Sequence, residues 1–403
     1  MTTPHTDPSD RPLLTRPADG VPDVMTHREE LHSYIERVRR GKGPFAVDTE
    51  RASGYRYGQN AYLVQVRREG AGTALIDPVA LPDLSALAEA TQDVTWVLHA
   101  ASQDLPCLKP LGMVPARLYD TEVAARLLGD PKVSLGAVVE RELGIRLKKE
   151  HSAVDWSKRP LPEDWRAYAA LDVELLADVM DRQVARLRED GKLAWAEEEF
   201  DYIRTAPPRP AKPEPWRRTT KISEVRSPRG LAQVREIWRE RDAVGRETNT
   251  CPSRILPDRV MIHLVTAQPS TELQIKKVRG MRHREYAGRW LAALNRGRNL
   301  PREQWPSTRG APRSGLPDHR RWAHNHPEAH RRLLAVRRVV AQVGEAHNVP
   351  AETMLLPAHQ RLLAWVEFPP TPAGVRAALD EMGARSWQIG LLAAPLAQAL
   401  AEA

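Results

Sequence analysis

The stretch PFAVDTE (residues 44–50) is a short apolar run that ends in two carboxylates, Asp48 and Glu50. A run of this length, partly aromatic and β-branched and preceded by Gly and Pro, predicts a β-strand. Side chains two residues apart on a strand point to the same face, so Asp48 and Glu50 stand side by side. Most such pairs simply end a strand at the surface. The alternative is a hard divalent cation, which takes oxygen ligands and removes the repulsion between the carboxylates.

Further apolar runs of four to six residues predict more strands after this one. They lie in AYLVQVRR (61–68), TALIDPV (73–79) and TWVLHA (95–100). Helical patterns cover residues 25–45, 84–91, 104–111, 121–128, 135–142 and 162–190. Strands that come first, with helices interleaved and then dominant, predict an α/β domain over residues 25–203.

A third carboxylate follows the strand at 95–100. In HAASQD (99–104) a turn of small residues precedes a predicted helix, which Ser102 can cap and whose first turn holds Asp104. Taken alone, Asp104 is explained by the helix dipole, which favours acidic residues in a first turn.

A fourth carboxylate lies in the long helix, in the segment YAALD (168–172). The i, i+4 spacing places Tyr168 and Asp172 on one helix face. An amphipathic helix with a core tyrosine and a surface aspartate would give the same spacing.

The order of the three motifs resembles one known pattern, that of the DEDD exonucleases whose third motif carries tyrosine. The resemblance implies that Asp48, Glu50, Asp104 and Asp172 hold two divalent cations, Mg²⁺ or Mn²⁺. It also implies that the Tyr168 hydroxyl orients the attacking water. Two ions about 3.5–4 Å apart suit phosphodiester hydrolysis, because they stabilise both the attacking and the leaving oxygen.

Other segments narrow the resemblance to ribonuclease D. They are VDWSKRPL (154–161), YAALDVELL (168–176), and Asp120-Thr121 with the following AARLLG (124–129). The segment RDAVGRETNTCPSRILPD (241–258) resembles the HRDC-type helical domain shared by RecQ-type helicases and ribonuclease D. The resemblance implies an α/β ribonuclease H-like exonuclease domain, with a mixed sheet flanked by helices, followed by two all-α HRDC-type domains. It implies 3′→5′ removal of nucleoside monophosphates from RNA with single-stranded 3′ ends, such as tRNA precursors.

Two internal breaks divide the chain. We predict a disordered polar leader (1–24), the exonuclease domain (25–203), a Pro/Arg-rich linker (204–221), a helical domain (222–297), a second linker (298–321) and a second helical domain (322–403). RILP at 254–257 is echoed by MLLP at 354–357, and Pro269 and Thr271 are echoed by Pro369 and Thr371. These matches at one offset favour a duplicated domain over chance similarity.

Charge is distributed unevenly along the chain. The net charge of +8 arises from 26 Lys and Arg against 33 Asp and Glu in residues 1–200, and 34 against 19 in residues 201–403. This split indicates an acidic catalytic half and a basic half that binds a polyanion. Solvated helix faces in an Arg-rich protein are the alternative.

Several residues are candidates for contact with nucleic acid. Tyr55 or Tyr57, in a Gly/Tyr-rich segment after Glu50, can stack on the terminal base. Arg159 suits either a phosphate contact or a surface salt bridge. The basic run at 276–284 predicts phosphate contacts beside a glycine turn, from Lys276, Lys277, Arg279, Arg282 and Arg284.

The composition and the motifs argue against several other classes of protein. The two cysteines, Cys107 and Cys251, form neither a disulfide framework nor a thiolate zinc site. We expect no membrane span, no secretion signal, no P-loop and therefore no ATP, and a cytoplasmic location. Two alternatives stay open at this point: a 3′→5′ exonuclease that acts on DNA, and a non-catalytic nucleic-acid-binding protein.

Overall fold

The structure is a computed structural model, and it describes residues 11–148, 153–208, 210, 212–308 and 315–403. The chain forms two compact units that do not follow chain order. The larger unit comprises Met1–Glu50, Ala61–Pro207 and Leu316–Ala403, and the smaller comprises Arg51–Asn60 and Pro208–Gly315. Among the described helices, none combines the length and apolar character needed to cross a bilayer.

The strands lie in the larger unit, apart from the last residue of β3. They are β1 (Leu13–Leu14), β2 (Val24–Met25), β3 (Lys42–Arg51), β4 (Ala61–Glu69), β5 (Gly72–Ile76), β6 (Thr95–Leu98), β7 (Arg117–Asp120) and β8 (Arg146–Leu147). Six of them form a mixed sheet in the order β2-β5-β4-β3-β6-β7. β3 is parallel to β6, β6 to β7 and β2 to β5, whereas β4 and β5 are antiparallel. The site strand β3 is therefore central in the sheet.

Helices surround the sheet and then take over the chain. They are α1 (Arg28–Arg40), α2 (Ser85–Glu89), α3 (Leu105–Leu108), α4 (Thr121–Leu127), α5 (Leu135–Leu143), α6 (Glu163–Glu174), α7 (Leu176–Glu189), α8 (Leu193–Thr205), α9 (Pro228–Glu247), α10 (Pro252–Ile255), α11 (Asp258–Ala267), α12 (Glu272–Lys276), α13 (Ala287–Asn299), α14 (Trp322–Asn325), α15 (Pro327–Ala346), α16 (Ala351–Met354), α17 (Pro357–Trp365), α18 (Pro372–Glu381) and α19 (Ser386–Ala401). The single helix predicted at 162–190 is thus two helices, α6 and α7, which meet at Leu175 (φ −113°, ψ 7°).

The predicted disordered leader is wrong for residues 11–24. β1 pairs in parallel with β8, and β2 pairs in parallel with β5. The Ala18 backbone N–H also donates to the Glu174 carboxylate at 3.1 Å. These partners are distant in sequence, so composition gives no sign of them. Residues 1–10 of the leader lie outside the described part of the chain.

The two predicted linkers also carry structure. In the first, α8 continues to Thr205, and the Trp216 side chain is only 3% exposed within the core of the smaller unit. In the second, the Trp305 indole donates to the Leu300 carbonyl at 2.9 Å. Residues 209, 211 and 309–314 of these linkers are not described. Pro-rich composition therefore marks the segment boundaries but overlooks the buried tryptophan.

The two runs of helices have the same internal order. We call α9–α13 the first helical block and α15–α19 the second. α9 and α15 are each 20 residues long and start at a proline, and each is followed by an asparagine in the left-handed conformation, Asn249 (φ 46°) and Asn348 (φ 49°). Thr271 and Thr371 each cap the fourth helix of their block.

The two blocks differ in how they are buried. The first has a hydrophobic core of its own, which includes Trp290 and Met261. The second shares one hydrophobic core with the sheet. Asn348 donates its side-chain amide to the Leu128 carbonyl at 3.0 Å, and a Cβ on the neighbouring Gly129 would lie only 2.4 Å from the Asn348 carbonyl oxygen. The second block is therefore built into the larger unit.

Candidate active site

Three carboxylates converge on one side of the sheet. Asp48 and Glu50 lie on β3, and Asp172 lies on α6, which packs against β4 and β5. One carboxylate oxygen from each lies within 4.8 Å of the other two. The alternation of side chains along β3 and the position of α6 bring together residues that are more than 120 positions apart in the chain.

Asp104 raises the pKa of Asp48 and of Asp172, but it is not in the group of carboxylates whose oxygens lie within 4.8 Å of one another. It immediately precedes α3 and is only 5% exposed, and its carboxylate makes no capping bond to that helix. Instead Thr49, the residue between Asp48 and Glu50, donates its hydroxyl to Asp104 Oδ1 at 2.7 Å. The alternative that Asp104 only complements a helix dipole does not account for this contact, because the carboxylate is engaged with β3. Sequence reasoning did not find Thr49, because the strand pattern places it on the opposite face from its neighbours.

Asp120, which ends the neighbouring strand β7, holds the turn that leads to Asp104. Asp120 accepts hydrogen bonds from the backbone N–H groups of Ala100 and Ala101, at 3.0 and 2.8 Å. It also accepts from Glu122 and Val123 in the first turn of α4. Ala100 has φ 62°, which is unfavourable for a residue with a side chain. Burial raises the pKa of Asp120 to about 6, although the backbone donors of Val123, Ala101 and Ala100 oppose this. The sequence did not indicate that Asp120 holds this turn, although the segment that begins at Asp120 had been identified as one that resembles ribonuclease D.

Tyr168 lies one helical turn before Asp172 and hydrogen-bonds to its carboxylate. The Tyr168 ring packs at 6.3 Å from the ring of Trp156, which is fully buried and also meets Trp165 edge-on at 5.6 Å. Burial and the neighbouring carboxylates raise the pKa of Tyr168, so its hydroxyl stays protonated at neutral pH. It is therefore a hydrogen-bond donor rather than a base.

The carboxylates perturb one another strongly. Burial raises the pKa of Asp48 well above its ordinary value, and Asp104, Asp172 and Glu50 raise it further. Burial also raises the pKa of Asp172 to about 7; Asp104 adds to this and the Tyr168 hydrogen bond opposes it. Ionising the whole group therefore costs free energy unless a cation lies among the oxygens. An all-oxygen donor set with this property fits a hard divalent cation.

Arg159 forms a salt bridge, which the sequence had offered as the alternative to a phosphate contact. Its guanidinium binds the Asp77 carboxylate through Nε (2.6 Å) and Nη2 (2.8 Å). The remaining donors reach the carbonyl oxygens of Trp156, Lys158 and Tyr62. All five N–H groups are thus engaged within the protein, which leaves none for a phosphate.

Tyr55 and Tyr57 lie in the 51–60 loop, which belongs to the smaller unit. The Arg254 guanidinium covers the Tyr55 ring at 3.9 Å. The Tyr57 hydroxyl donates to Asp242 Oδ1 at 3.1 Å. Both tyrosines therefore fasten the loop to the first helical block, and stacking of a base on either ring stays a prediction.

The basic run at 276–284 also lies in the smaller unit. It leaves the end of α12 and turns at Gly280 (φ 90°). Lys276 is half-buried and pairs with Glu272 at 3.6 Å. The other four predicted cations are exposed, namely Lys277, Arg279, Arg282 and Arg284. These four form a basic surface segment, and their contact with RNA stays a prediction.

Comparison with known families places these features in context. A model of the 3′-5′ exonuclease family matches residues 22–187, and a model of the 3′ to 5′ exonuclease C-terminal domain matches residues 315–400. Ribonuclease D of Sphingobium indicum is 32% identical over 305 residues, which cover 73% of this chain and 77% of the relative. Ribonuclease D of Pseudomonas paraeruginosa is 31% identical over 345 residues, which cover 83% and 87%.

Solved structures agree with the family matches. A protein from Bifidobacterium adolescentis superimposes with a TM-score of 0.91 at 37% identity, over 97% of this chain and 100% of that one. Escherichia coli RNase D, an exoribonuclease involved in structured RNA processing, superimposes with a TM-score of 0.66 at 23% identity, over 94% and 98%. The mixed sheet and its helices therefore form the ribonuclease H-like 3′-5′ exonuclease fold predicted from the sequence, followed by a helical C-terminal region.

Proposed function

The chain belongs to the ribonuclease D family of 3′→5′ exoribonucleases, and from this premise we propose that Asp48, Glu50, Asp104 and Asp172 are its metal ligands. The enzyme hydrolyses RNA from the 3′ end and needs a divalent metal. The single observation that carries the assignment of residues is the convergence of Asp48, Glu50 and Asp172 within 4.8 Å.

In this proposal two ions, Mg²⁺ or Mn²⁺, share the four carboxylates. Asp48, Glu50 and Asp172 would hold one ion, and Asp104 together with Asp48 would hold the second. When bound, the ions supply Lewis acidity, which activates water and stabilises charge on the phosphoryl oxygens. The raised pKa values of Asp48 and Asp172 support the proposal, because a cation among these oxygens offsets their repulsion.

The protein side chains then perform the positioning. Tyr168 orients the attacking water by accepting a hydrogen bond from it, while its own proton, which the raised pKa keeps in place, is donated to Asp172. The buried Trp156 ring packs against the Tyr168 ring and limits its movement. Thr49 holds the Asp104 carboxylate in one orientation. Precise placement of reacting groups lowers the barrier, because the entropy of orienting them has already been lost on binding.

The substrate we propose is RNA with a single-stranded 3′ end, such as a tRNA precursor. The basic half of the chain supports this, because 34 Lys and Arg against 19 acidic residues favour a polyanion. Lys277, Arg279, Arg282 and Arg284 are exposed cations suited to phosphate contacts. We place the enzyme in the cytoplasm, a proposal supported by the two free cysteines.

We also propose that both helical blocks are HRDC-type domains that arose by duplication. Their common helix order supports this, as do the paired left-handed asparagines. The second block acts as a scaffold in this proposal. Its Trp387 stacks on Trp195 at 5.1 Å, and Arg385 pairs with the buried Glu199 at 2.7 Å.

The test is a digest of 5′-labelled RNA with a single-stranded 3′ overhang, with Mg²⁺, with Mn²⁺ and with EDTA. We expect stepwise shortening from the 3′ end, release of mononucleotides, and no reaction in EDTA.

Asp48→Ala should abolish hydrolysis and leave RNA affinity nearly intact. The matched control is Glu89→Gln, which removes an exposed carboxylate outside the site. Hydrolysis by Asp48→Ala at the wild-type rate would overturn the assignment, and faster cleavage of a matched DNA substrate would overturn the preference for RNA.

A further inference from the structure

A cavity of about 510 Å³ lies in the smaller unit, at the first helical block. None of the proposed catalytic residues lines it. It is lined where α9 begins and where α11 and α13 end. Three arginines contribute to its wall, Arg226, Arg229 and Arg298, and the valines Val225 and Val265 give it an apolar portion. Its volume is within the range of about 300–1,000 Å³ that small-molecule and cofactor sites occupy.

Two of the three arginines, Arg229 and Arg298, donate to neutral acceptors. Arg298 donates to the side-chain oxygens of Gln268 (3.1 Å) and Asn295 (2.9 Å) and to the Pro269 carbonyl (2.7 Å). Arg229 Nε donates to the Arg298 carbonyl at 3.1 Å. Neutral partners fix the orientation of a guanidinium without cancelling its charge.

The acidic residues near these arginines do not neutralise them. Among the described residues, no carboxylate forms an ion pair with Arg226, Arg229 or Arg298. Glu224, the acidic residue of the lining, pairs instead with Lys221 at 3.3 Å. The cavity therefore retains uncompensated positive charge.

Other arginines of the same block are compensated. Arg289 pairs with Glu240 at 2.6 Å, and Arg241 pairs with Asp258 at 2.6 Å. A buried or fixed arginine whose role is structural normally has such a partner. Arg298, which is half-buried and held by three acceptors, departs from this rule. Arg226 and Arg229 are exposed, so their guanidinium groups are accessible to an anionic ligand beside it.

The second helical block provides an internal comparison. Aligning the prolines that begin α9 and α15, Pro228 and Pro327, places Asn325 opposite Arg226 and Glu328 opposite Arg229. The corresponding end of α19 carries Ala397 and Gln398. The basic cavity is thus a property of the first block and is not required by the helix arrangement that the two blocks share.

We propose that this cavity binds one nucleotide unit of the RNA substrate. A backbone phosphate binds the guanidinium groups, and the sugar or base edge lies against Val225 and Val265. Arginine suits this role because its planar, always charged group recognises phosphate oxygens through paired hydrogen bonds. The inference rests on the proposed function, since it takes RNA as the ligand, and it adds a site outside the basic run at 276–284.

The experiment measures the affinity for a single-stranded RNA oligonucleotide in EDTA, which prevents hydrolysis, at several salt concentrations. The test variant is the double change Arg226→Gln/Arg229→Gln. The matched control is Arg337→Gln/Arg338→Gln, which removes two exposed arginines from α15 in the second block. We expect the Kd of the test variant to rise by roughly 10-fold, and its salt slope to fall by about 0.7 for each phosphate that the protein no longer neutralises. The control should change the Kd by less than about twofold.

A second variant leaves all three arginines in place. Thr266 lines the cavity and is exposed, so Thr266→Glu introduces a negative charge beside the arginines, and Thr266→Gln is its neutral control. We expect Thr266→Glu to weaken RNA binding and Thr266→Gln to leave it unchanged. This pair keeps the proposal testable even if the arginine variant does not fold.

Two results would overturn the inference. One is a Kd for both test variants that equals the Kd of their controls. The other is loss of binding to adenosine monophosphate or inorganic phosphate with unchanged RNA affinity, which would make the cavity a small-anion site. Neither bears on the catalytic proposal, which fails separately if the wild-type enzyme does not hydrolyse RNA in the presence of metal.

Discussion

Asp48 and Asp77 are both aspartates of the central sheet, one on β3 and one directly after β5, but their surroundings shift their pKa values in opposite directions. Burial raises the pKa of Asp48, and three neighbouring carboxylates raise it further. Burial alone would also raise the pKa of Asp77, but the Arg159 guanidinium and the backbone amides of Val79 and Ala80 hold it below its usual value.

The difference distinguishes carboxylates that stabilise the fold from carboxylates that need a ligand. Asp77 has its counter-charge within the protein, so the pair contributes to stability. Asp48 is surrounded by like charge, which destabilises the metal-free protein and is relieved when a cation binds.

The largest effect should follow from removing the like-charged aspartate. We expect Asp48→Asn to lower the rate of RNA hydrolysis by about 10³-fold or more, the scale on which essential electrostatic groups act. In EDTA the same variant should be at least as stable as wild type, because one repelling charge is gone. Thermal unfolding and single-turnover hydrolysis measure the two effects. A variant that was both inactive and clearly less stable than wild type would contradict the contrast.

In contrast to Asp48→Asn, the Asp77→Asn variant should be less stable than wild type. The change leaves the Arg159 guanidinium, whose side chain is 31% exposed, without its counter-charge. We expect a loss of about 2–3 kcal/mol in the free energy of unfolding, below the full cost of breaking a buried pair because Arg159 is partly solvated. Urea unfolding measures this loss, with Glu89→Gln as the control. A loss under about 0.5 kcal/mol would show that the pair does not stabilise the fold.

A smaller effect is expected at Thr49, which orients Asp104. Thr49→Val keeps the shape of the side chain but removes the hydroxyl that donates to Asp104 Oδ1. We expect the metal concentration for half-maximal activity to rise by roughly 10-fold, as for other residues that hold a metal ligand. Thr49→Ser should restore the wild-type value, which a purely structural role for the methyl group would not predict. Equal metal dependence of Val and Ser variants would refute the positioning role.

The smallest effect concerns pH. The pKa of Asp172 is about 7 in the folded protein and about 3.9 in an unfolded chain. The folded state therefore holds the proton more tightly, and Asp172 lowers the stability of the metal-free protein as pH rises towards and past 7. Between pH 6 and 8 we expect the stability advantage of Asp172→Asn over wild type to grow by about 1 kcal/mol in EDTA.

The two controls for this prediction use the same contrast. Added Mg²⁺ should remove the pH-dependent advantage of Asp172→Asn, because a cation replaces the proton. Asp77→Asn should show no such growth over this range, since Asp77 has a lowered pKa and is already ionised. A stability difference between Asp172→Asn and wild type that stayed constant from pH 6 to 8 would contradict the raised pKa.

Local periodicity was sufficient to pair the candidate residues within two of the motifs, whereas their catalytic interpretation came from the family resemblance. Alternation along a strand placed Asp48 beside Glu50, and helical spacing placed Tyr168 beside Asp172. Such relations extend over two to four residues, so the sequence determines them directly. Grouping Asp104 with these residues required the family resemblance, because no local rule joins a helix start to a distant strand.

The missed features are long-range contacts. Arg159 and Asp77 are 82 residues apart, and nothing in either segment identifies the other as its partner. Residues 11–24 look disordered by composition, yet backbone pairing with β5 and β8 gives them structure. The division into units is also hidden, because Arg51–Asn60 packs with a block that begins more than 150 residues later.

The two-ion site is tested most directly by diffraction from crystals soaked in Mn²⁺, with data collected at the manganese absorption edge. We predict two anomalous peaks, one among Asp48, Glu50 and Asp172 and one between Asp48 and Asp104, and loss of at least one peak in Asp48→Asn. Manganese bound elsewhere while these four carboxylates stay empty, or an unchanged pair of peaks in Asp48→Asn, would contradict the two-ion site.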